Sequence, residues 1–531
     1  MNAAQLPSDS ELRLLWQAVD YWARLKPDAE AMVFETQRLT WTQFRDEVDL
    51  TAKAFLELGV QRGDRIAMVA MARPEFLTSF MAASKVGAIW LGLSPKFTAE
   101  ELRYLLSHSQ PTVLIALQQY MGINLIETGV TFEQEFPGIQ EVLVIERTTP
   151  GFEDYHEFVR RPRPELDAEL EARAAAVQPQ DEALLLYTSG STGQPKGVLH
   201  THQSIITSVR VQTQYFEFGE RSLLHFPITH VAADVELGYA SIYGGLTQIL
   251  QDRFDPVLSL EAIERERVTV VGQVPVMYLL QAQTPKFASM DWSSVDAFVW
   301  GGTSASDELL LLLQQLARPK GARLMTGYGS TELCGFVTFS MPEDNLDLLK
   351  RSAGKIVAPY EMKIVDEQRR QVPNGTIGEL AVRGPVLMRG YLNNPVATNE
   401  VIDDEGWYYT SDLGSMDDQG YLFIAGRRSE MFKTGGENVF PREVENVLES
   451  HPSVLFAAVL GMPDALYDEV GHAYIMLKPG HEATPEELQG FCKAHLTNFK
   501  VPKVFELRPS LPLLPNGKVN KVTLRQEANS Q

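Results

Sequence analysis

Short apolar runs alternate with amphipathic segments through the first two-thirds of the 531-residue chain. The apolar runs predict buried strands, and the segments between them predict helices because their apolar residues recur with helical spacing. Strands are predicted at residues 65–70, 89–93, 112–116, 268–271 and 297–300, and helices at 74–86 and 99–107. Strands that alternate with helices favour an α/β fold of layered, largely parallel sheets.

In the last third of the chain, the pattern of apolar residues and turn residues changes. Short strands separated by Gly and Pro turns predict a small β-rich subdomain. They lie at 363–366, 378–383 and 421–424, and helical patterns follow near 441–450 and 485–496. Because 531 residues are too many for one hydrophobic core, at least two domains are expected. We predict an N-terminal domain over 1–426, with the β-rich subdomain at about 354–426, and a C-terminal α+β domain over 427–531.

Charge and cysteine content exclude several classes of protein. The formal net charge is −22 at pH 7, which argues against nucleic acid as a partner because phosphate backbones bind concentrated Lys and Arg. Only Cys334 and Cys492 occur, so a disulfide framework is not expected and a reducing compartment fits. The N-terminal sequence predicts an amphipathic helix near 12–25 instead of a signal peptide, and no apolar run predicts a membrane span. We expect a cytoplasmic protein with small-molecule substrates.

Glycine and hydroxyl residues are concentrated at 187–198, directly after a strand predicted at 183–186. Gly190 and Gly193 allow the backbone to approach a ligand closely. The hydroxyl and ammonium groups of this segment are suited to polyphosphate oxygens. They belong to Thr188, Ser189, Ser191, Thr192 and Lys196. A Walker A loop ends in Gly-Lys-Ser/Thr, whereas Lys196 is followed by Gly197, so the segment predicts a phosphate-binding loop of another type.

A second glycine-rich motif lies at 327–332. Tyr328 is suited to stacking on a purine, Thr331 to holding a phosphate oxygen, and Glu332 to binding Mg²⁺ through oxygen. Taken alone, this motif is more typical of a glycine-rich turn with a solvated carboxylate, but its position well after the phosphate loop, with 301–303 between them, favours a nucleotide site. The other nucleotide-site candidates are Gly327, Gly329 and Ser330, with Gly301, Gly302 and Thr303 upstream.

Three charged residues extend the candidate site. Asp412 offers a carboxylate to two ribose hydroxyls, and Arg427, after the next predicted strand, is placed to reach the ribose or a phosphate. Near the C-terminus, an Asn-Gly turn presents Lys518 at a loop tip. A cation there is suited to offset the repulsion between an attacking carboxylate and an α-phosphate.

In this order, the motifs resemble those of the adenylate-forming superfamily, which includes acyl-CoA synthetases, adenylation domains and beetle luciferases. The match covers nearly the whole chain, includes the segments 378–385 and 435–438, and is most similar to an acyl-CoA synthetase. The resemblance implies a large N-terminal domain of α/β layered sheets plus a small β-barrel subdomain, followed by a small mobile α+β C-terminal domain. It implies that an acid and Mg·ATP give an acyl-adenylate and pyrophosphate, and that CoA then takes the acyl group and releases AMP.

The same resemblance assigns roles to individual residues. Lys518 would serve the first step, and Glu332 and Thr188 would act in catalysis and hold the metal. The loop at 435–438, which contains Gly435, Gly436 and Glu437, would deliver the thiol, and a plain hairpin turn is the alternative interpretation. Ser429 occupies a hinge position that often carries Asp or Lys.

For two residues, His230 and Lys433, the sequence supports two interpretations of their role. His230 matches a position near the acyl group and the thiol tunnel, but a histidine satisfied at a helix start is an equal alternative. Lys433 is either a nucleotide or CoA contact or an ordinary surface lysine.

The acid substrate is less strongly constrained. The expected pocket lining at 272–277 and 297–304 is apolar, which favours a fatty or other hydrophobic acid. Asp234 would discourage an alkyl chain if it faced the pocket, and otherwise we expect it to face solvent or cap a helix. An aryl-CoA ligase and a loader of a phosphopantetheinyl carrier protein remain alternatives. A luciferase-like oxygenase and a binding module without chemistry are further alternatives, and a homo-oligomer is left open.

Overall fold

The computed structural model describes residues 6–7, 11–126, 132–148, 150–188, 194–216, 219–512 and 519–529, without the side chains of Glu133 and Asn529. In this part of the chain, the first two-thirds form two large sheets with helices between and around them. The predicted α/β class is confirmed.

The eight-stranded N-terminal sheet carries the phosphate-loop strands at one side. Its strands, in spatial order, are Gly390–Tyr391, Lys196–Thr201, Glu182–Thr188, Ile89–Leu93, Arg65–Val69, Val113–Leu117, Glu141–Ile145 and Glu153–Asp154. The pairs are parallel except for the two that involve Lys196–Thr201.

The seven-stranded central sheet is parallel except at its last pair. Its strands, in spatial order, are Arg323–Thr326, Ala297–Trp300, Val270–Gln273, Arg221–Leu224, Thr247–Leu250, Glu30–Phe34 and Gln37–Thr40. Ligands bind to such sheets at the carboxyl ends of the strands. Here those ends lead into the segments that begin at Gly301 and Gly327.

Helices cover both sheets and separate them. The helices of this region are Gln17–Leu25, Trp41–Glu57, Pro74–Val86, Ala99–Ser109, Phe132–Glu135, Tyr155–Val159, Asp167–Ala176, His202–Tyr215, Ala240–Gly244, Pro256–Arg265, Pro275–Ala282, Pro285–Ser289, Asp307–Ala317 and Leu346–Arg351, with a π-helix at Ala232–Tyr239 and 3-10 turns at Pro164–Leu166 and Thr331–Leu333. One large apolar core joins the two sheets, and a second lies between the central sheet and its outer helices.

The last third of the chain consists mainly of short strands and helices, as the sequence pattern predicted. Four antiparallel strands, Glu361–Val365, Gly378–Arg383, Tyr408–Met416 and Leu422–Arg427, form one sheet, flanked by the helix Pro395–Val401. The C-terminal sheet contains Phe432–Thr434, Glu437–Val439, Val454–Asp464, Asp468–Leu477 and Val504–Leu507, and its helices are Pro441–Glu449, Pro485–His495 and Lys521–Asn529, with a 3-10 turn at Asn498–Lys500. Two-stranded ladders complete the fold at Gln119–Tyr120 with Ile123–Asn124, Gly329–Ser330 with Gly335–Phe336, and Thr338–Phe339 with Lys355–Ile356.

Candidate active site

The two strands that flank the phosphate loop form an antiparallel hairpin. Thr188 ends the first strand and faces Lys196, which begins the second. The Thr188 hydroxyl donates a hydrogen bond to the Lys196 carbonyl oxygen at 3.5 Å. The predicted residues between them, Ser189, Gly190, Ser191, Thr192 and Gly193, lie outside the described residues.

Tyr391 links the phosphate-loop lysine to the candidate metal ligand. The Lys196 ammonium lies 4.9 Å from the centre of the Tyr391 ring, and the Tyr391 hydroxyl donates to Glu332 Oε1 at 3.2 Å. Burial, followed by the nearby Glu332 carboxylate, raises the pKa of the Tyr391 phenol, so it stays a neutral donor. The sequence analysis gave Tyr391 no role, because its partners are 195 and 59 residues distant and no local pattern indicates them.

The backbone around Glu332 is fixed from two sides. His200 Nε2 donates to the Thr331 carbonyl oxygen at 2.7 Å, and the Met388 amide donates to the Glu332 carbonyl oxygen at 2.9 Å. His200 belongs to the second strand of the phosphate-loop hairpin. The hairpin and the 3-10 turn that carries Glu332 are therefore held together independently of any ligand.

Asp412 is the centre of a second group. It lies opposite Arg427 on the adjacent strand, and its residue is 8% exposed. Asp412 Oδ2 accepts from the Tyr328 hydroxyl at 2.6 Å, and Oδ1 accepts from Arg427 Nε at 3.1 Å. Each oxygen keeps capacity for a further hydrogen bond, which is what two ribose hydroxyls would need.

Burial and neighbouring charges shift the pKa values of the two side chains that bond to Asp412. Burial, and then the Asp412 carboxylate, raise the pKa of the Tyr328 phenol well above its usual value. Burial lowers the pKa of Arg427, but the carboxylates around it, led by Asp412, raise that pKa by more, so the guanidinium stays charged. Its side chain is 58% exposed, which leaves it free to reach a ligand.

Two glycines of the second motif are required by close packing. At Gly327, an added Cβ would lie 2.1 Å from the Thr338 carbonyl oxygen, and at Gly329 it would lie 2.1 Å from the Gly335 carbonyl oxygen.

Ser330, between the motif glycines and Thr331, has a buried hydroxyl oxygen with no hydrogen-bond partner among the described residues. Upstream, Gly302 and Thr303 are exposed at the carboxyl edge of the central sheet, and Gly301 packs against the Phe336 ring.

The segment that follows His230 forms an unusual helix. Residues Ala232–Tyr239 form a π-helix, a form that is often found at functional sites. The half-buried His230 accepts the Ala232 amide at Nδ1 (3.1 Å), and its carbonyl oxygen accepts the Ala233 amide (2.8 Å). His230 thus stands at the start of this helix.

Asp234 contradicts the expectation that it faces solvent or caps a helix. It is fully buried, accepts the Trp90 indole N–H at Oδ1 (3.2 Å), and has no hydrogen-bond partner for Oδ2 among the described residues. Burial raises the pKa of this carboxyl group well above its usual value, so the folded state favours the protonated form. The helix is buried at every position except Glu236, so its sequence gives no amphipathic pattern from which the orientation of Asp234 could be read.

The predicted thiol-delivery residues form an exposed hairpin in the C-terminal sheet. Lys433 lies on the first strand, Glu437 begins the second, and Gly435 and Gly436 make the turn with φ of 60° and 90°. Within the described part of the chain, these residues share no hydrogen bond with the Lys196 or Asp412 groups. Lys518 lies outside the described residues.

Glu379 is a second functional residue that the sequence analysis did not identify. Its Oε1 accepts the Ser411 amide at 2.9 Å, and its Oε2 accepts from Arg428 at 3.1 Å. Ser411 has φ of 64°, in the left-handed region, immediately before Asp412. Glu379 therefore stabilises the strained backbone that orients Asp412.

The donor set suits a magnesium ion that arrives with a nucleotide. Among the described residues, no group of three or more His, Cys, Asp or Glu residues could hold a metal by itself. Magnesium is commonly bound by one or two carboxylates together with substrate phosphates. Glu332 has one hydrogen bond from Tyr391 and further free oxygen capacity, so it fits this arrangement.

The described helices include none that is both long enough and apolar enough to cross a bilayer.

Comparison with known proteins agrees with this geometry. Residues 19–392 match the family model described as AMP-binding enzyme, and residues 443–518 match the AMP-binding enzyme C-terminal domain.

Two curated relatives match almost the whole chain. A Mycobacterium tuberculosis (methyl-dioxo-octahydroindenyl)propanoyl:CoA ligase is 33% identical over 97% of this chain and 99% of its own. The human mitochondrial medium-chain acyl-CoA ligase ACSF2 is 30% identical over 96% of this chain and 87% of its own.

A solved structure shares the whole fold. The anthranilate CoA ligase AuaEII, in complex with anthranoyl-AMP, has a TM-score of 0.88 and 26% identity, and covers 100% of this chain and 99% of its own. The chain therefore belongs to the AMP-binding enzyme family and is an adenylate-forming acid–thiol ligase.

Proposed function

We propose that this enzyme converts a fatty or other hydrophobic carboxylic acid into its CoA thioester in two steps. The observation that carries the proposal is the continuous contact from Lys196 through Tyr391 to Glu332, because it joins a phosphate-binding cation to a candidate magnesium ligand. The Asp412 group, at the end of the adjoining β subdomain, supplies the acceptors that a ribose requires.

In the first step, a carboxylate oxygen of the acid attacks the α-phosphorus of ATP. A phosphorus–oxygen bond forms, and the bond to pyrophosphate breaks. We assign Lys196 and Thr188 to the phosphates, Asp412 and Arg427 to the ribose, and Lys518 to the charge between the two anions. Magnesium, held by Glu332 and the phosphates, would screen the negative charge of the leaving pyrophosphate.

In the second step, the CoA sulfur attacks the acyl carbonyl carbon of the acyl-adenylate. A thioester forms, and AMP leaves with the bonding electrons. We assign the Gly435–Glu437 turn to the pantetheine arm, because glycines permit close backbone approach to a narrow ligand. We assign the exposed Lys433, beside this turn, to a contact with CoA.

The composition of the pocket lining supports a hydrophobic acid. The expected lining includes Val274, Met277 and Val299, which are buried apolar residues of the large core at the carboxyl edge of the central sheet. The relatives above are named for a methyl-dioxo-octahydroindenyl propanoyl substrate, a medium-chain acyl substrate and anthranilate. His230, at the start of the π-helix, is our candidate for contact with the reacting carboxyl group.

The experiment that tests the proposal is pyrophosphate release with Mg·ATP across a panel of carboxylic acids, each with and without CoA. We expect release that depends on one class of hydrophobic acid, with sustained turnover and AMP formation only when CoA is present. Acid-dependent release without stimulation by CoA would favour a carrier-protein acceptor. No release with any hydrophobic acid would contradict the proposed substrate class.

Two further features stay predictions. We propose a division between the large and small domains near residues 426–430, which the separate family matches on either side support. The cytoplasmic location is an expectation that depends on the sequence alone, and the oligomeric state is left open.

A further inference from the structure

One helix of the N-terminal region contacts both ends of the phosphate loop. On the helix Ala99–Ser109, the Tyr104 hydroxyl donates to the Pro195 carbonyl oxygen at 2.9 Å. On the same helix, His108 Nδ1 pairs with the Tyr187 hydroxyl at 2.8 Å. Tyr187 immediately precedes Thr188, and Pro195 immediately precedes Lys196.

The two contacts act at matched positions of the hairpin. Thr188 and Lys196 are direct partners in the antiparallel ladder, and Tyr187 is the partner of Gly197. One contact holds the strand that enters the loop, and the other holds the chain as it leaves the loop. The ladder itself sets the separation of Thr188 and Lys196, the two described residues that we assign to phosphate oxygens, and the two helix contacts fix where this pair lies relative to the helix.

The helix is suited to act as a rigid support. It begins with a capping box in which Thr98 and Glu101 bond each other's backbone amides, and three buried leucines anchor its opposite face. Tyr104 and His108 are four residues apart, so they share one face, and their rings stack at 5.7 Å with an angle of 14°. The His108 ring also meets the Tyr187 ring edge-on at 5.7 Å.

We propose that Tyr104 and His108 are positioning residues that hold both ends of the phosphate loop in the orientation required by the β- and γ-phosphates of ATP. This inference rests on the proposed function in so far as ATP is the substrate. Neither residue touches the nucleotide in this account; each acts through Tyr187 or Pro195. The predicted signature is a selective loss of triphosphate affinity, because AMP lacks the phosphates that the loop would hold.

The test compares binding of α,β-methylene-ATP and of AMP by isothermal titration calorimetry, with magnesium present. The variants are Tyr104→Phe and His108→Phe, with Tyr187→Phe as a second way to remove the histidine contact. Each variant is expected to bind the ATP analogue about threefold to tenfold more weakly, as the loss of one net hydrogen bond implies, while AMP affinity stays within about twofold.

A matched control is Tyr155→Phe. The Tyr155 hydroxyl lies 3.1 Å from Ser79 Oγ in the buried packing of the same region, without contact to the loop. We expect this variant to leave both affinities unchanged, and thermal unfolding will show whether all four variants fold.

The proposal is overturned if the analogue affinity is unchanged in the three loop-contact variants, if AMP affinity falls by the same factor, or if Tyr155→Phe has the same effect. Binding is measured without any acid, so it is independent of the substrate assignment. A wild-type protein that binds the analogue but releases no pyrophosphate with any acid would contradict the proposed function and leave the loop comparison intact.

Discussion

Replacement of Asp412 by Asn tests the assignment of the ribose site. The substitution keeps the size of the side chain but removes the charge that accepts Tyr328 at 2.6 Å and Arg427 at 3.1 Å. Because Arg427 is 58% exposed, water can solvate the guanidinium after the change, and we expect little loss of stability. The main effect should fall on the nucleotide.

The magnitude follows from the hydrogen bonds that the carboxylate would make to the ribose. A hydrogen bond to a charged group contributes about 1.5–3 kcal/mol, roughly twice a neutral one. If Asp412 binds two ribose hydroxyls, Asp412→Asn loses half of each bond, or about 1.5–3 kcal/mol in total. That corresponds to an increase of about tenfold to 150-fold in the dissociation constant of AMP.

The assay is AMP binding by calorimetry, followed by kcat/KM for ATP in pyrophosphate release. The control is Asp403→Asn, because Asp403 accepts the Tyr409 hydroxyl at 2.8 Å in the same subdomain and has no part in the site. An AMP dissociation constant that rises less than threefold, or an equal rise in the control, would refute the assignment of Asp412 to the ribose.

Four other perturbations have defined outcomes. Lys518→Ala should abolish acyl-adenylate formation yet still convert synthetic acyl-adenylate and CoA to thioester; equal loss of both half-reactions, measured separately, would exclude its assigned role. Glu332→Gln should raise the magnesium concentration needed for half-maximal pyrophosphate release by at least about tenfold, and an unchanged magnesium dependence would remove Glu332 from the metal site. Burial lowers the pKa of His225 to about 3, so the wild type should lose stability as pH falls from about 6.5 towards 3, because the unfolded state takes up the proton first. His225→Leu should lose less stability than the wild type between pH 7 and pH 5 in urea denaturation, and equal losses would contradict this. The raised pKa of Asp234 has the opposite effect: the wild type should lose stability as pH rises above about 4, because the unfolded state releases the proton first. Asp234→Asn should therefore become more stable relative to the wild type between pH 4 and pH 7 in urea denaturation. Parallel curves for the two proteins would mean that Asp234 is not a buried neutral acid.

Several elements could be predicted from the sequence, because residues at their ends mark where they begin and stop. The helix Pro74–Val86 has the predicted bounds, because Pro74 fits the first helical turn and Gly87 ends the helix with φ of 77°. Strands Ile89–Leu93 and Ala297–Trp300 also agree, since each is an apolar run with a clear end. In these cases, residues within the segment decide its structure.

Other elements depend on partners that are distant in sequence. The strand expected at 268–271 lies at Val270–Gln273, because the Val268 amide instead closes the preceding helix by bonding the Ile263 carbonyl oxygen. The N-terminal helix expected at 12–25 begins only at Gln17. The π-helix is buried at every position except Glu236, so no periodicity separates it from an α-helix.

The residues of the candidate site also divide into those that the local sequence indicates and those that depend on distant partners. Residue types and their order along the chain indicated Lys196, Glu332, Asp412 and Arg427, and the structure brings these into two connected groups. Tyr391 could not be identified in this way, because it acts through the sheet pairing that places it between two motifs. Side-chain pairs of this kind are consequences of tertiary structure.

The paired strands that flank the phosphate loop decide which groups of the protein can supply positive charge to the phosphates. In loops that lead directly into a helix, the helix N-terminus supplies partial positive charge to the phosphates. Here the chain continues as the strand Lys196–Thr201, and its helix begins only at His202, about 20 Å further along an extended backbone. The effect of a helix dipole falls off within its first turn, so at that distance it contributes little. In the proposed first step, the cationic side chain of Lys196 can follow the phosphates as pyrophosphate departs, which a dipole fixed in the fold cannot do.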